Sequence, residues 1–254
     1  MQWSVKRRLI YLGLVIVFFA LIGAGLWYRY QPAASCSDNK KNQNELGVDC
    51  GGPCARVCSF EVRPVQDVWS RLFNIDDTRW DEVTLVKNPN RDYAARDLGY
   101  RVRVFDVNDV LVTTREGKIF LNPGESFFVY QGRLEIGNRV PKRASFEVIS
   151  GPVWQRVDQG AVIPPKITYK SFTSGPAPLL VATIENESLK TLSDVSVSAV
   201  LSDADENALA VSSTLIDKLE PRAKQEIVFT WPRSFAVEPT FFDFYPHFDP
   251  ARTR

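Results

Sequence analysis

An uninterrupted apolar segment near the start of the chain, Leu9 to Tyr28, most constrains what this protein can fold into. No residue within it carries a formal charge. A helix of about 20 residues rising ~1.5 Å per residue covers the ~30 Å hydrocarbon core of a bilayer. The segment therefore predicts a transmembrane helix that contacts the lipid bilayer through residues 9–28.

Charged residues beside this segment favour one orientation. Lys6, Arg7 and Arg8 precede it, and the positive-inside rule therefore places the N-terminus in the cytoplasm. Arg29 and the lysines near residue 40 also carry positive charge on the far side, so the charge preference is weak. The cysteines that follow the segment support the same orientation, so we expect the rest of the chain to be extracytoplasmic.

A cleaved signal peptide is the main alternative to an anchor. Signal peptides have an apolar region of about 7 to 15 residues, and this segment is longer. Ala33-Ala34-Ser35-Cys36 loosely resembles a bacterial lipoprotein cleavage site. Cleavage there would attach lipid to one cysteine and leave the others as an odd number. The sequence therefore favours an uncleaved anchor.

All the cysteines of the chain lie in one short window, as Cys36, Cys50, Cys54 and Cys58. Cysteines clustered just after a membrane anchor are typical of a disulfide-bonded element on the oxidising side of a membrane. Four thiolates also bind zinc, but the spacing C-x13-C-x3-C-x3-C departs from paired C-x2-C knuckles. Two disulfides are predicted, and all three connectivities stay open.

Oxygen-bearing side chains are dense in the same window. Calcium takes six to eight oxygen ligands, so it is the one metal this loop suggests, and the sequence indicates no other cofactor. The spacing is not that of an EF-hand, and the same residue types form turns in small disulfide-bonded elements. Both interpretations stay open. The candidate ligands are Asp38, Asn42, Asn44, Glu45 and Asp49.

Alternating residue patterns predict strands in the remaining part of the chain. Tyr100–Phe105 alternates apolar with charged residues, and Val195–Leu201 places serines between apolar residues. Such alternation arises when one face of a sheet meets a core and the other meets water. A hydrophobic content of 44% and a net charge of +1 are typical of a globular chain and show no nucleic-acid-binding surface.

An internal repeat divides this region in two. Residues 88–90 (Asn-Pro-Asn) match residues 186–188 (Asn-Glu-Ser), and residues 121–123 match residues 219–221, both displaced by 98 residues (186 − 88 = 219 − 121 = 98). A period near 100 with short strands predicts tandem immunoglobulin-like sandwiches joined by a connector around Gln159-Gly160. The predicted bounds are a cytoplasmic tail over 1–8, a transmembrane helix over 9–28, a cysteine-rich stalk over 29–59, and immunoglobulin-like domains over 60–158 and 159–254.

The segment from Cys36 to Cys54 resembles a cysteine-rich motif of extracytoplasmic proteins, C-x-D-G-x-x-N-x-x-E-x-x-x-D-C-G-G-x-C. Asn39 stands where the motif has glycine, and asparagine also tolerates left-handed backbone. The two downstream copies resemble the immunoglobulin-like domains of uncharacterised bacterial membrane-anchored proteins. The resemblance implies a secreted or cell-envelope setting and no known activity.

Catalytic motifs are lacking in the sequence. The one histidine is His247, and there is no G-x-S-x-G, glycine-rich phosphate loop or H-E-x-x-H. A histidine-based triad would have to use that single residue. We therefore predict that the protein is not an enzyme.

The C-terminal stretch is unusually aromatic. Alternation places Phe242 and Phe244 on one face of a strand and Phe241 and Tyr245 on the other, so both faces must be covered or one is a contact surface. These four residues are the predicted protein-partner site. We expect a single-pass membrane-anchored binding or scaffold protein of the cell envelope. The alternatives are a calcium-dependent surface adhesion module and an accessory subunit of a membrane secretion or pilus assembly.

Overall fold

The computed structural model describes residues 3–30, 35–76, 79–158 and 162–250. They form two compact units, an N-terminal unit (Met1–Arg56) and a β unit (Val57–Arg254). The sequence features at Ala33-Ala34 and Gln159-Gly160 lie outside the described residues.

One long helix, α1, opens the N-terminal unit and runs from Trp3 to Arg29. Its stretch Ile10–Arg29 is long and apolar enough to cross a membrane, which makes α1 a candidate membrane anchor or signal sequence. The helix begins earlier than predicted, because the basic residues before the apolar segment are good helix formers and nothing there stops it.

Turns stapled by disulfides follow the helix. Cys36 bonds to Cys54, with Cα atoms 5.6 Å apart, and Cys50 and Cys58 are disulfide-bonded as well. No cysteine is free, which confirms the two predicted disulfides. Asn39 has a φ of 58°, the left-handed backbone that the glycine of the motif would adopt.

Antiparallel strands make up the β unit, and its described residues contain thirteen of them. Their bounds are β1 Gln66–Asn74, β2 Trp80–Lys87, β3 Tyr93–Asp106, β4 Leu111–Leu121, β5 Ser126–Gln131, β6 Pro141–Ser150, β7 Val153–Arg156, β8 Lys166–Thr173, β9 Leu179–Glu185, β10 Leu192–Ser202, β11 Ala208–Leu219, β12 Lys224–Thr230 and β13 Phe241–His247.

The strands form four sheets whose order repeats. Sheet β1-β2-β5 and sheet β4-β3-β6, to which β7 adds on β3, form the first sheet pair. Sheet β8-β9-β12 and sheet β11-β10-β13 form the second sheet pair. Apart from β7, each strand of the second sheet pair has neighbours equivalent to those of the strand seven numbers before it in the first sheet pair. The repeat seen in the sequence is therefore also a repeat of strand pairing. The mainly β prediction is confirmed.

Each sheet pair encloses a hydrophobic core of alternating side chains. In the first, Val86 of β2 and Val129 of β5 pack with Val102 and Val104 of β3. The second core is built in the same way, and its largest fully buried side chain is that of Phe229.

A third hydrophobic cluster joins the two sheet pairs. Val83 and Leu85 on the outer face of β2 and Phe128 on β5 pack with Val200 of β10 and Val211 of β11. Both faces of β2 are therefore covered, which explains why its residues from Asp81 to Val86 are all buried. The two sheet pairs therefore pack against each other within one compact unit.

Two asparagines at equivalent positions hold the same turn in each copy. The Asn88 side-chain amide donates to the carbonyl oxygen of Asn122 at 2.9 Å, and that of Asn186 donates to the carbonyl oxygen of Glu220 at 3.0 Å. Both asparagines are fully buried. The asparagines that make the repeat visible in the sequence therefore hold equivalent turns through buried side-chain hydrogen bonds.

Candidate functional site

The aromatic strand β13 directs its two faces at different surroundings. The Phe242 ring lies 5.1 Å from that of Phe172, and the Phe244 ring lies 5.9 Å from that of Phe229, both in the core of the second sheet pair. Phe241 and Tyr245 point the other way, toward the first sheet pair. The predicted partner set therefore divides into two core residues and two residues of a groove between the sheet pairs.

This groove has a cavity volume of about 330 Å³ and an aromatic floor. The Trp69 ring lies 5.4 Å from the Phe128 ring, which meets the Tyr245 ring edge to face at 4.7 Å. Phe241 also lines the groove and remains 43% exposed. We call this cavity the aromatic groove. It draws its floor from β1 and β5 of one sheet pair and β13 of the other.

Charged groups of both signs line the aromatic groove. The Arg71 guanidinium lies 5.3 Å from the centroid of the Trp69 ring. The backbone amide of Asn207 donates to the Asp203 carboxylate at 2.8 Å and lowers the pKa of that group, and the charge of Arg71 lowers it further. The described lining of the groove thus includes a cation, Arg71, which lies beside an aromatic ring.

Two carboxylates, those of Glu206 and Asp243, also belong to the groove lining. Glu206 and Asp243 are exposed, and neither side chain forms an ion pair or accepts a hydrogen bond from a described residue. Burial raises the pKa of the Tyr245 hydroxyl, and the Asp243 carboxylate raises it further. The Tyr245 hydroxyl therefore stays protonated and is a hydrogen-bond donor across the physiological range.

The aromatic groove combines aromatic rings with a few polar and charged side chains. Its described lining contains no histidine or cysteine. Apart from the Tyr245 hydroxyl, the one hydroxyl in that lining belongs to Ser202, which is buried. Aromatic rings with a few convergent polar groups are the usual composition of a ligand pocket. Among the described lining residues, no nucleophile is hydrogen-bonded to a base.

Carboxylates of the cysteine-rich loop are occupied by the loop backbone. The two oxygens of the Asp49 carboxylate accept from the amides of Asp38 and Asn39 at 2.9 and 2.8 Å. One Glu45 oxygen accepts from the amides of Asn42 and Asp49 at 3.2 and 3.3 Å. Asp49 and Glu45 therefore shape the turns that carry the other candidate calcium ligands.

The remaining candidate ligands are arranged less uniformly. The Asn42 amide donates to the Asp38 carboxylate at 2.8 Å and lowers its pKa, whereas Asn44 is exposed. Glu45 Oε1 lies 3.0 Å from Cys54 Sγ, but that sulfur and Cys36 Sγ are in a disulfide and offer no thiolate to a metal. Four of the five predicted oxygen ligands thus lie in one hydrogen-bonded loop, and calcium stays a prediction.

Sequence reasoning did not connect the first sheet pair with the aromatic groove. Trp69 of β1 packs against the third hydrophobic cluster. No sequence pattern marks Arg71 or Glu206 as a site residue, because their proximity to Phe241 depends on how the sheet pairs pack.

No protein-family model matches the chain, and no curated protein matches it. Among solved structures, red sea bream transglutaminase is similar over 74% of this chain and 29% of that one, at 13% identity and a TM-score of 0.25. A 7S globulin of Momordica charantia is similar over 72% and 79%, at 6% identity and a TM-score of 0.15. The chain spans under a third of the transglutaminase. Neither likeness bears on fold or activity at these scores.

Proposed function

We propose that the protein is a single-pass membrane-anchored binding and scaffold protein of the cell envelope, without catalytic activity. The observation that carries this proposal is that all four cysteines are disulfide-bonded in a segment beginning just after α1. Disulfides persist in oxidising compartments and are rare in the cytosol. The basic N-terminus would then be cytoplasmic and residues 29–254 extracytoplasmic.

The strand order supports immunoglobulin-like sandwiches as the architecture. In an immunoglobulin sandwich, strands A, B and E are neighbours in one sheet, and C′, C and F are neighbours in the facing sheet. Assigning β1, β2, β3, β4, β5 and β6 to A, B, C, C′, E and F reproduces both orders. The second sheet pair gives the same assignment seven strands later.

A scaffold role is supported by the way the chain joins the first sheet pair. The Asn90 side chain both accepts from the Arg63 amide and donates to the Arg63 carbonyl, each at 2.8 Å. The Glu61 carboxylate accepts from the Tyr93 hydroxyl at 2.9 Å and from Arg156 at 3.2 Å. The segment that leads into β1 is therefore fixed to the sheet pair and is not a loose tether.

Polar contacts also tie the two sheet pairs together. His247 lies between the rings of Phe120 and Phe127, at 4.3 and 4.0 Å, and its Nδ1 is 2.9 Å from a carboxylate oxygen of Glu125. The Asn122 amide donates to the carbonyl of the residue after His247 at 3.0 Å. A groove formed between two surfaces needs such contacts to keep its shape. They favour the aromatic groove as the partner site.

Cysteine labelling in whole cells tests the topology. Full-length protein is treated with a membrane-impermeant maleimide before and after an impermeant reductant. We expect no label before reduction and four labels after it. A Ser4→Cys variant is the matched control, because its added thiol should react only after lysis. Four cysteines that react without reduction, or only after lysis, would contradict the proposal.

A second candidate function, calcium-dependent adhesion, is favoured by one atom. Asn42 Oδ1 is buried with no hydrogen-bond partner among the described residues, and the carboxylate of Asp38 lies beside the same side chain. An unsatisfied buried oxygen is costly, and a bound cation would satisfy it. Calorimetric titration of full-length protein with Ca²⁺ tests this. Equal heats for the wild type and for Asp38→Asn would exclude the site.

A further inference from the structure

We propose that the aromatic groove binds a segment of a partner protein through a lysine or arginine side chain. This inference rests on the proposed binding function and adds the chemical class of the partner. It is carried by two features of the groove together. One is the exposed Phe241 ring near the partly buried rings of Trp69 and Tyr245, and the other is the excess of carboxylates over cations in the described lining.

The aromatic floor suits a long side chain that ends in a cation. Cations within ~6 Å of an aromatic ring centroid are attracted to its face, and the aliphatic stem of lysine or arginine packs on apolar surface. The groove already shows this contact, since Arg71 lies 5.3 Å from the centroid of the Trp69 ring. Phe241 remains 43% exposed and has no such partner among the described residues. Its ring is free to receive a ligand cation.

The charge of the groove wall selects for the same ligand. Arg71, Glu206 and Asp243 line the same groove, so its described lining carries one cation and two carboxylates, and neither carboxylate forms an ion pair with a described residue. Asp243 lies between Phe241 and Tyr245 in sequence and on the same face of β13. A bound cation would therefore meet a ring and a carboxylate together.

Other ligand classes fit the aromatic groove less well. An acidic segment or an anionic lipid surface would place like charge against Glu206 and Asp243, which is unfavourable at a contact. A neutral sugar would stack on the rings but would give two carboxylates no charge partner. Electrostatic complementarity thus favours a basic segment over these occupants.

Three labelled hexapeptides of matched length test the inference on full-length protein in detergent. The probes are GLKLRG, GLQLQG and GLELEG, each with an N-terminal fluorescein, and binding is read by fluorescence anisotropy. We expect GLKLRG to bind at least tenfold more tightly than GLQLQG, and GLELEG not to bind. Equal binding of the three probes, or no binding of GLKLRG at millimolar protein, would overturn the inference.

Two variants of equal charge locate the binding. Glu206→Gln with Asp243→Asn should weaken GLKLRG binding at least tenfold. Asp217→Asn with Glu226→Gln removes the same charge from exposed positions outside the groove lining and should leave binding within twofold. Equal losses in both variants would show a net-charge effect and would overturn the site.

Failure of this inference and failure of the proposed function are distinguishable. Cysteines found reduced and cytoplasmic would refute the envelope location, whereas the peptide measurement on purified protein would still decide the ligand class. Disulfides found extracytoplasmic, together with equal binding of the three probes, would refute only the basic ligand.

Discussion

Glu82 offers a direct test of the buried polar chemistry in the first sheet pair. This side chain on β2 is fully buried and belongs to the face that carries Val86 into the first core. The Thr84 hydroxyl donates to Glu82 Oε1 at 2.5 Å, and Ser70 Oγ lies 2.6 Å from that hydroxyl. Glu82 Oε2 has no hydrogen-bond partner among the described residues. Burial raises the pKa of the Glu82 carboxyl from 4.5 to about 7.

This raised pKa makes the protein less stable as the pH rises. Between pH 4.5 and about 7 the unfolded chain loses the Glu82 proton while the folded chain retains it, so deprotonation favours the unfolded state. At ~1.4 kcal/mol per pKa unit, the free energy of unfolding falls by about 3 kcal/mol across this window. Below the window this contribution is fully present, and above it no further change is expected.

Substitution Glu82→Gln removes the titration and retains the side-chain volume. The measurement is urea denaturation of full-length wild type and variant in detergent from pH 4 to pH 9, followed by tryptophan fluorescence. The stability of the variant relative to wild type should rise by about 3 kcal/mol between pH 4.5 and 7 and then level off. The control Glu226→Gln, at an exposed position, should show no such rise. A constant difference between Glu82→Gln and wild type at every pH would refute the reasoning.

Three further predictions concern the two buried turn asparagines, the contact between the sheet pairs at His247, and the Cys36–Cys54 disulfide. Asn88→Ala and Asn186→Ala should each lower the free energy of unfolding by about 2 to 4 kcal/mol, because each substitution leaves buried carbonyls unpaired. The measurement is urea denaturation, and clearly unequal losses for the two variants would contradict the equivalence of the two turns. His247→Ala should cost about 2 kcal/mol in the same assay, and an unchanged value would refute its contribution to the packing of the sheet pairs. Replacing Cys36 and Cys54 by alanine should open the loop between them, which has a sequence separation of 18, to trypsin. Unchanged cleavage would show that the loop keeps its structure without that bond.

The elements that sequence reasoning could predict are those set by local pattern. Alternation in Tyr100–Phe105 reflects a strand with one face in the first core, and the repeated asparagines reflect equivalent turns. The alternation depends on residues that are near in sequence, and the repeated asparagines depend on a sequence period near 100 residues. They required no knowledge of how one sheet pair meets the other.

The face-to-face packing of the sheet pairs was not predictable in this way. The strand from Trp80 to Lys87 mixes acids, threonine and aliphatic residues, and nothing in it indicates that both faces are covered. Val83 and Leu85 meet Val200 and Val211, more than 100 residues away in the chain. Alternation predicts that a face is apolar but does not identify the surface that covers it.

The same limit applies to the cysteine-rich loop. Its composition predicted a cluster of oxygen atoms, and four of the five residues do lie in one hydrogen-bonded loop. Composition does not show that both Asp49 oxygens accept backbone amides, since that depends on the left-handed turns around Asn39. Acids in so short a loop satisfy the backbone first, because it has no regular secondary structure to pair its amides.

Packing of the sheet pairs also determines how the aromatic groove can act. Trp69 and Phe128 come from one sheet pair, and Phe241 and Asp243 come from the other, so a ligand that spans them binds only when the pairs are in contact. Such a ligand stabilises the packed arrangement by RT ln(1 + [L]/Kd), about 2.7 kcal/mol at a hundred times Kd. The contacts around His247 stabilise the same arrangement without touching the ligand. Ligand affinity and the stability of the interface are therefore linked, because both depend on the same packed state.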